Sequence, residues 1–168
     1  MEDGPGEHGL GVPVGKVRLA VHDPQWAAAF EVERARLAEA LADVSPVIEH
    51  VGSTAIPGII AKPLLDMMVG IPEIGMHERA LGPMRGLGYE HKGEFGIPGR
   101  QFFVLERGPM VTHHVHMVAH GGEFWRLNLV FRDYLRVNAE ARERYAAEKR
   151  RLAVEFRDVR ERYTAGKD

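Results

Sequence analysis

One stretch of eight residues, numbers 64–71, constrains the fold of this chain most strongly. Apart from Asp66 and Gly70, all its side chains are apolar. A continuous apolar run of this length predicts a strand in the middle of a sheet, with both faces covered by other elements. Asp66 is the exception, because a carboxylate inside such a strand is costly to bury unless it is paired, hydrogen-bonded or bound to a metal. We therefore take Asp66 as the first candidate for a functional residue.

The remaining patterns predict further strands and several helices. Strands are predicted over residues 16–21 (a short edge strand), 47–51, 89–95, 101–106 and 110–118. Helices are predicted after Asp23-Pro24, over residues 74–87 with a break at Gly82-Pro83, over 123–136, and from 139 to about 163. These elements predict an α/β (α+β) fold with a mixed, largely antiparallel sheet of about five to six strands packed by helices.

The domain organisation follows from length and composition. A chain of 168 residues, 45% of them hydrophobic, is long enough for one domain with a sizeable core. Residues 1–15 hold five glycines and two prolines and predict a flexible leader. Residues 16–168 then form a single domain that ends in a long charged helix. One stripe of this helix carries Tyr145, Leu152, Phe156, Val159 and Tyr163.

Charge and residue content exclude several classes of function. The formal charge of −2 gives no field that would attract nucleic acid or an anionic membrane, and no apolar run is long enough to span a bilayer. The absence of cysteine removes disulfides, thiol nucleophiles and cysteine-based zinc sites, and fits a cytoplasmic protein. Any bound metal must therefore use His, Asp or Glu. The charged C-terminal segment is compatible with a homodimer.

The segment from residue 49 to residue 66 contains the parts of a phosphate site. Gly52 lets the backbone approach a ligand, Ser53 and Thr54 supply hydroxyls, Lys62 supplies a cation and Asp66 supplies a carboxylate. There is a structural alternative, in which the glycine only turns the chain, Ser53 caps a short helix and Lys62 is solvated.

This segment, with several others, resembles the GrpB family, whose fold is a minimal nucleotidyltransferase fold related to DNA polymerase beta and kanamycin nucleotidyltransferase. The other matching pieces are Val21-His22-Asp23-Pro24-Gln25-Trp26, Gly88-Tyr89, Gly99-Arg100-Gln101-Phe102-Phe103, His113-His114-Val115-His116, Phe131-Arg132-Asp133-Tyr134-Leu135-Arg136 and Tyr145-Ala146-Ala147-Glu148-Lys149. They occur in order over residues 17 to 155, which makes chance similarity improbable.

The resemblance implies a nucleotide site that uses divalent cations, Mg²⁺ or Mn²⁺. In the wider superfamily a Gly-Ser turn grips the phosphates, while an Asp-x-Asp pair and a third acid hold two ions. Gly52 and Ser53 match the turn and Asp66 matches the first acid, but Met68 stands at the position of the second acid. A thioether does not replace a carboxylate toward a hard cation, so this departure puts the two-ion mechanism in question.

Histidines supply a second set of candidate metal ligands. On a strand over residues 110–118, His114 and His116 point to one face and His113 to the other. Together with Asp66 they predict an open site for Zn²⁺, Mn²⁺ or Fe²⁺. The alternative is a hydrogen-bonded histidine pair that lines a cleft or contacts phosphate.

Other charged residues near these motifs leave alternatives open. Arg100, at a loop edge before a strand, is either a phosphate clamp or a surface arginine. Only one of Glu49 and His50 can face the site, because a strand alternates. Arg132 and Asp133 are expected to form a structural ion pair or a helix-packing contact rather than to act in catalysis. Lys149 either reaches the cleft or extends to solvent.

Three functions follow as hypotheses. The first is binding of a nucleotide or other phosphorylated ligand with a divalent metal, extending to nucleotidyl transfer. The second is a catalytically degenerate ligand-binding or accessory module, since GrpB-like domains occur fused to dephospho-CoA kinase. The third is metal-dependent hydrolysis centred on Asp66, His114 and His116.

Overall fold

A computed structural model of the chain describes residues 9–155. Its strands are β1 (Val12–Pro13), β2 (Val47–Val51), β3 (Leu65–Ile71), β4 (Tyr89–His91), β5 (Gln101–Arg107) and β6 (Met110–Ala119). Its α-helices are α1 (Gln25–Ala40), α2 (Leu81–Gly86), α3 (Glu123–Val137) and α4 (Ala139–Glu155). Short 3-10 helices cover Ala42–Val44, Ser53–Ala55 and Ile74–Ala80.

The strands form one mixed sheet in the order β2-β3-β6-β5-β4, and β1 pairs with the start of β6. The apolar strand β3 lies inside the sheet, antiparallel to β2 and parallel to β6. The pairs β4-β5, β5-β6 and β1-β6 are antiparallel. The predicted α+β fold with a mixed, largely antiparallel sheet is therefore confirmed.

Helix α1 covers one face of the sheet. The carboxylate of Asp23 accepts a hydrogen bond of 2.8 Å from the backbone N–H of Gln25, so the helix begins where the sequence predicts. Its side chains Trp26, Phe30 and Leu37 are at most 8% exposed. They belong to the main core, which includes Leu65, Met67, Val69, Phe103, Val115 and Met117 of the sheet. This face of the sheet therefore carries the main apolar core of the domain.

Helices α3 and α4 pack on the opposite face. Trp125 at the start of α3 forms a small core with Val51, Met68 and Val118. Farther along, Leu135 of α3 and Ala141 of α4 pack with Ile56 and Ile59, which follow the corner after β2. The second layer thus covers part of this face and holds the loop between β2 and β3.

The N-terminal segment differs from the sequence-based expectations at two places. The predicted edge strand over residues 16–21 is absent, because only Ala20 pairs with another backbone segment, at Ala61, and Val21 is 82% exposed. The predicted flexible leader over residues 1–15 includes residues that belong to the domain. Leu10 and Val12 are both buried. Leu10 packs in the main core, and Val12 lies in β1, where it pairs with Val111 of β6.

Other element boundaries differ by a few residues. The helical stretch over residues 74–87 changes from 3-10 to α between Ala80 and Leu81 rather than breaking at Gly82-Pro83. Pro83 lies in the first turn of α2, where a missing N–H removes no intrahelical bond. The strand predicted over 89–95 ends at His91. The predicted stripe residues Phe156, Val159 and Tyr163 lie outside the described residues.

Among residues 9–155, no helix has both the length and the apolar content that a membrane crossing requires.

We predict that His113 makes the stability of the protein fall in acid. Burial lowers the pKa of His113 to about 4, against the opposing charge of Glu33. Below pH 6.5 the unfolded chain then binds a proton that the folded chain excludes, so stability decreases as the pH falls from about 6.5 toward 4. We expect this residue to contribute a loss of about 2 to 3 kcal/mol, measured by urea unfolding at pH 7 and pH 4.2.

The matched variant is His113→Gln, which retains a polar side chain but does not titrate. Its unfolding free energy should fall less than that of the parent over the same pH interval. Equal losses in the two proteins would contradict this account of His113.

Candidate functional site

The corner after β2 brings the glycine-serine turn onto Asp66. Val51 pairs with Asp66 across the β2-β3 ladder, and Gly52 follows with φ 70° and ψ −171°. A side-chain Cβ at Gly52 would lie 2.8 Å from Oδ2 of Asp66. The backbone of the corner therefore passes directly over the carboxylate, as only glycine allows.

The carboxylate of Asp66 takes part in a chain of hydrogen bonds. Nε2 of His116 is 2.5 Å from Oδ1 of Asp66, and Nδ1 of His116 is 3.2 Å from NH1 of Arg100. Because a guanidinium has only donors, Nδ1 accepts from Arg100 and Nε2 carries the proton that it donates to Asp66. Arg100 thus sets the tautomer of His116, and His116 orients the carboxylate. The Asp66 side chain remains 30% exposed.

Arg100 is not a surface arginine. It is 7% exposed, donates to the backbone oxygens of Glu94 and Phe95, and lies 4.7 Å from the ring centre of Phe102. Burial lowers its pKa, and the charge of Asp66 partly opposes this. The guanidinium of Arg100 therefore bonds to the turn over residues 94–100 and to His116, and it does not present all its donors to a phosphate.

Of the three predicted metal ligands, the structure brings Asp66 and His116 into contact. His114 pairs with Asp66 across the β3-β6 ladder and faces the same side of the sheet. It is 8% exposed and meets the Phe102 ring edge-on at 5.0 Å. No three His, Asp or Glu side chains in the described part of the chain are grouped so that they could hold an ion. The three-ligand site predicted from Asp66, His114 and His116 is therefore not assembled.

The position of the second acid is closed. Met68 shares the Asp66 face of β3 but is fully buried, in a cluster with Val118 and Trp125. Trp125 also covers Gly70, where an added Cβ would lie 2.7 Å from its ring. Helix α3 thus fills the space that a second carboxylate and its ion would need, and the two-ion arrangement does not fit here.

The choice between Glu49 and His50 is settled by the register of β2. Glu49 pairs with Met68 and so lies on the face of Asp66, where its carboxylate accepts a hydrogen bond of 2.8 Å from Arg132. His50 points to the other face. It stacks on Phe30 at 4.8 Å, and burial lowers its pKa to about 4, against the opposing charge of Asp66. His50 is therefore a neutral core residue.

The predicted phosphate ligands around the corner have different environments. Thr54 is 3% exposed and hydrogen-bonded to His50 at 2.9 Å. Its hydroxyl is therefore engaged inside the core and is not presented to a ligand. Ser53 and Lys62 are half-buried, Ser53 at the start of the 3-10 turn and Lys62 in the loop before β3. Gly52, Ser53 and Asp66 form the compact part of the predicted site.

Cations on α3 and α4 hold this loop in place. Arg132 donates to the backbone oxygen of His50 and pairs with Asp133 at 2.9 Å, as expected of a structural ion pair. Burial alone would lower the pKa of Arg132, but hydrogen bonds to the two carboxylates raise it. Arg136 donates to the oxygen of Ala55 at 2.9 Å.

Lys149 neither extends to solvent nor opens to the cleft. It is 1% exposed and donates to the backbone oxygen of Ile60 at 3.0 Å. Sequence reasoning missed the roles of Lys149 and Arg136 in holding the loop. The available signal was a cation on the helix face that packs against the domain.

Comparison with known proteins identifies relatives over nearly the whole chain. The profile of the family described as GrpB protein matches residues 16–168. The UPF0157 protein YqkA of Bacillus subtilis is 37% identical over 156 residues, which are 93% of this chain and 45% of that protein. The chain thus spans about half the length of this relative. A dephospho-CoA kinase of Mycolicibacterium paratuberculosis is 25% identical over 159 residues, 80% of this chain and 39% of the kinase.

Solved structures agree with this result. The crystal structure of the conserved protein GrpB from Enterococcus faecalis has a TM-score of 0.80 and 32% identity, and the match covers 87% of this chain and 88% of that one. The Cid1 poly(U) polymerase has a TM-score of 0.53 and 14% identity over 81% of this chain and 43% of its own. At this identity the likeness shows the fold alone, which is nucleotidyltransferase-like.

We predict that Gly52→Ala strongly destabilises the protein. The substitution places a Cβ against Asp66 and forces a side chain into backbone angles that essentially only glycine adopts. The backbone strain alone costs about 1 to 3 kcal/mol, and the clash adds to it. Urea unfolding measures the loss.

Gly58→Ala is the matched control. Gly58 also has a positive φ, of 87°, but an added Cβ there has nothing within 4 Å. The difference between the two variants isolates the close approach of the corner to Asp66. Equal destabilisation would show that this approach imposes no constraint.

Proposed function

This chain belongs to the GrpB family, and from that premise we propose that Gly52, Ser53 and Asp66 bind a nucleotide or another phosphorylated small molecule together with one divalent cation. One observation carries the proposal. The glycine corner lies directly over the carboxylate, with the position of a Cβ only 2.8 Å from Oδ2. This approach brings a backbone turn and a negative side chain to one point on a partly covered face of the sheet.

The corner has the chemistry that phosphate recognition requires. At Gly52 no side chain shields the backbone from a ligand, and Ser53 adds a hydroxyl to the same turn. Lys62 lies in the loop that leads from this turn into β3, where a cation would offset phosphate charge. Arg136 and Lys149 donate hydrogen bonds to the backbone oxygens of Ala55 and Ile60, which hold the loop in place without a ligand.

A single divalent cation fits this set of donors. Asp66 is a hard oxygen ligand with part of its side chain exposed, and His116 orients it. Mg²⁺ is commonly held by one or two carboxylates, with the phosphates of the ligand and water completing its shell. When bound, such an ion would neutralise phosphate charge beside the carboxylate. Asp66 would hold the ion, and the corner would orient the phosphates.

Binding rather than nucleotidyl transfer is the activity that the geometry favours. Two-ion transfer requires a second carboxylate on the face of Asp66, and that position is Met68, buried beneath Trp125. Glu49 lies on the same face but is paired with Arg132 at 2.8 Å. The chain keeps the phosphate corner and the first acid of the nucleotidyltransferase pattern without the second acid.

A second candidate function is that of an accessory module attached to another catalytic unit. The observation that favours it is that one relative is named as a dephospho-CoA kinase and is matched over only 39% of its length. In that role the surface of the domain, rather than the corner, would carry the function. This alternative predicts no binding of phosphorylated ligands at Asp66.

Calorimetric titration with ATP, GTP, CTP, UTP and inorganic tripolyphosphate, with and without Mg²⁺, tests the proposal. We expect Mg²⁺-dependent binding of at least one nucleotide and of tripolyphosphate. Asp66→Asn keeps the shape of the side chain but removes its charge, and should weaken binding by at least tenfold because the cation loses its protein ligand.

Asp43→Asn is the matched control, because Asp43 is an exposed aspartate that pairs with Arg79. This variant should bind like the parent. Binding that persists in Asp66→Asn, or no binding of any of the five compounds, would contradict the proposal and favour the accessory function.

A further inference from the structure

Phe95 has a backbone conformation that is unusual for an aromatic residue. Its φ is 50°, in the left-handed region of the backbone that residues other than Gly, Asn and Asp rarely adopt. The residue is nevertheless 65% exposed. A strained residue whose side chain is mostly in solvent gains little from packing, so burial does not account for its conformation.

The site itself holds Phe95 in this conformation. Arg100 donates to the backbone oxygen of Phe95 at 2.9 Å and to that of Glu94 at 3.2 Å. The carboxylate of Glu94 accepts a hydrogen bond from the backbone N–H of Gly99, which closes the turn. The guanidinium that orients His116 therefore also fixes the turn that carries Phe95.

A row of rings connects Phe95 with Asp66. The Phe95 ring stacks on Phe102 with centroids 5.4 Å apart and planes at 27°. Phe102 lies 5.2 Å from the ring of His116, whose Nε2 donates to Asp66. Phe95 is thus the exposed end of an aromatic row that begins at the carboxylate.

A cavity lies beside this turn. A cavity of about 350 Å³ is lined by Ile97, Arg100, Phe124 and Leu127, among others. Its size is within the range of small-molecule sites, and its walls are largely apolar. Phe124 lies 5.5 Å from the ring of His116, so the cavity adjoins the same aromatic row.

We propose that Phe95 is a binding residue that stacks against the planar ring of the ligand, which makes the ligand a nucleotide rather than a ring-free phosphorylated compound. This inference rests on the proposed function, since the corner and Asp66 hold the phosphate end. The exposed aromatic face receives the base, because stacking on an aromatic side chain suits any nucleobase.

The test compares Phe95→Asn with the parent protein. Asn tolerates the left-handed conformation, so this variant removes the ring without adding backbone strain. Calorimetry in Mg²⁺ gives the Kd for the tightest of ATP, GTP, CTP and UTP and for tripolyphosphate. We expect the nucleotide Kd to rise about tenfold and the tripolyphosphate Kd to stay unchanged. Phe95→Trp, which keeps an aromatic face, should bind the nucleotide like the parent.

A structural role for the ring would show in other readouts. The thermal midpoint of Phe95→Asn should stay close to that of the parent, because the relief of backbone strain offsets the lost contact with Phe102, whereas a mainly structural role would lower it clearly. Phe131→Asn is the aromatic control, because Phe131 is a partly exposed ring on α3 that contacts Tyr145. It should leave both Kd values unchanged.

The outcomes separate this inference from the proposed function. If Asp66→Asn weakens binding of both probes and Phe95→Asn weakens neither, the phosphate site stands and the stacking role is wrong. If the affinities for both probes fall equally in Phe95→Asn, Phe95 does not recognise the base of the nucleotide and the inference is wrong. If no probe binds the parent, both proposals are wrong.

Discussion

The carboxylate of Asp66 sits in an otherwise apolar inner strand, and much of the surrounding structure satisfies that one group. His116 donates a hydrogen bond to it, Arg100 fixes the tautomer that makes this donation, and Gly52 leaves room for it under the corner. An unpaired carboxylate at this place would cost several kcal/mol, whereas a paired and partly exposed one can be kept. The network therefore holds a charge at a defined point on the sheet, where we propose that a cation binds.

The two faces of the sheet have different tasks. Helix α1 covers one face with the main apolar core, and the two histidines on that face, His50 and His113, are buried. The other face is covered only in part, and the covering side chains close some positions while leaving others exposed. Trp125 closes the position of Met68, while the Asp66 side chain two residues earlier keeps 30% of its surface exposed. This difference along a single strand is why we favour a ligand site with one carboxylate over two-ion transfer.

The sequence predicted most of the fold because its signals were local. The apolar run of β3, the turn at Gly52-Ser53 and the cap at Asp23 each depend on neighbouring residues. The prediction of an edge strand over residues 16–21 was wrong because the alternation of polar and apolar residues within a segment does not show whether another strand runs beside it. For the same reason, only the register of β2 could show that Glu49, not His50, faces Asp66.

The candidate site was predicted less well than the fold, because partners distant in sequence decide what each side chain does. Arg100 was predicted to be a phosphate clamp or a surface arginine, but it is buried and bonded to backbone oxygens of its own turn and to His116. Thr54 looked like a ligand, but His50 takes its hydroxyl. The closure over Met68 depends on Trp125, which lies 57 positions farther along the chain and has no visible connection to β3 in the sequence.

The central claim is that this face of the sheet holds one divalent cation through one carboxylate. Titration of the protein with Mn²⁺ in the presence of tripolyphosphate, followed by electron paramagnetic resonance of the free ion, measures the number of bound ions most directly. After correction for the ions bound by free tripolyphosphate, the account predicts one Mn²⁺ per chain. Two ions per chain, or one ion that remains when Asp66 is changed to Asn, would contradict it.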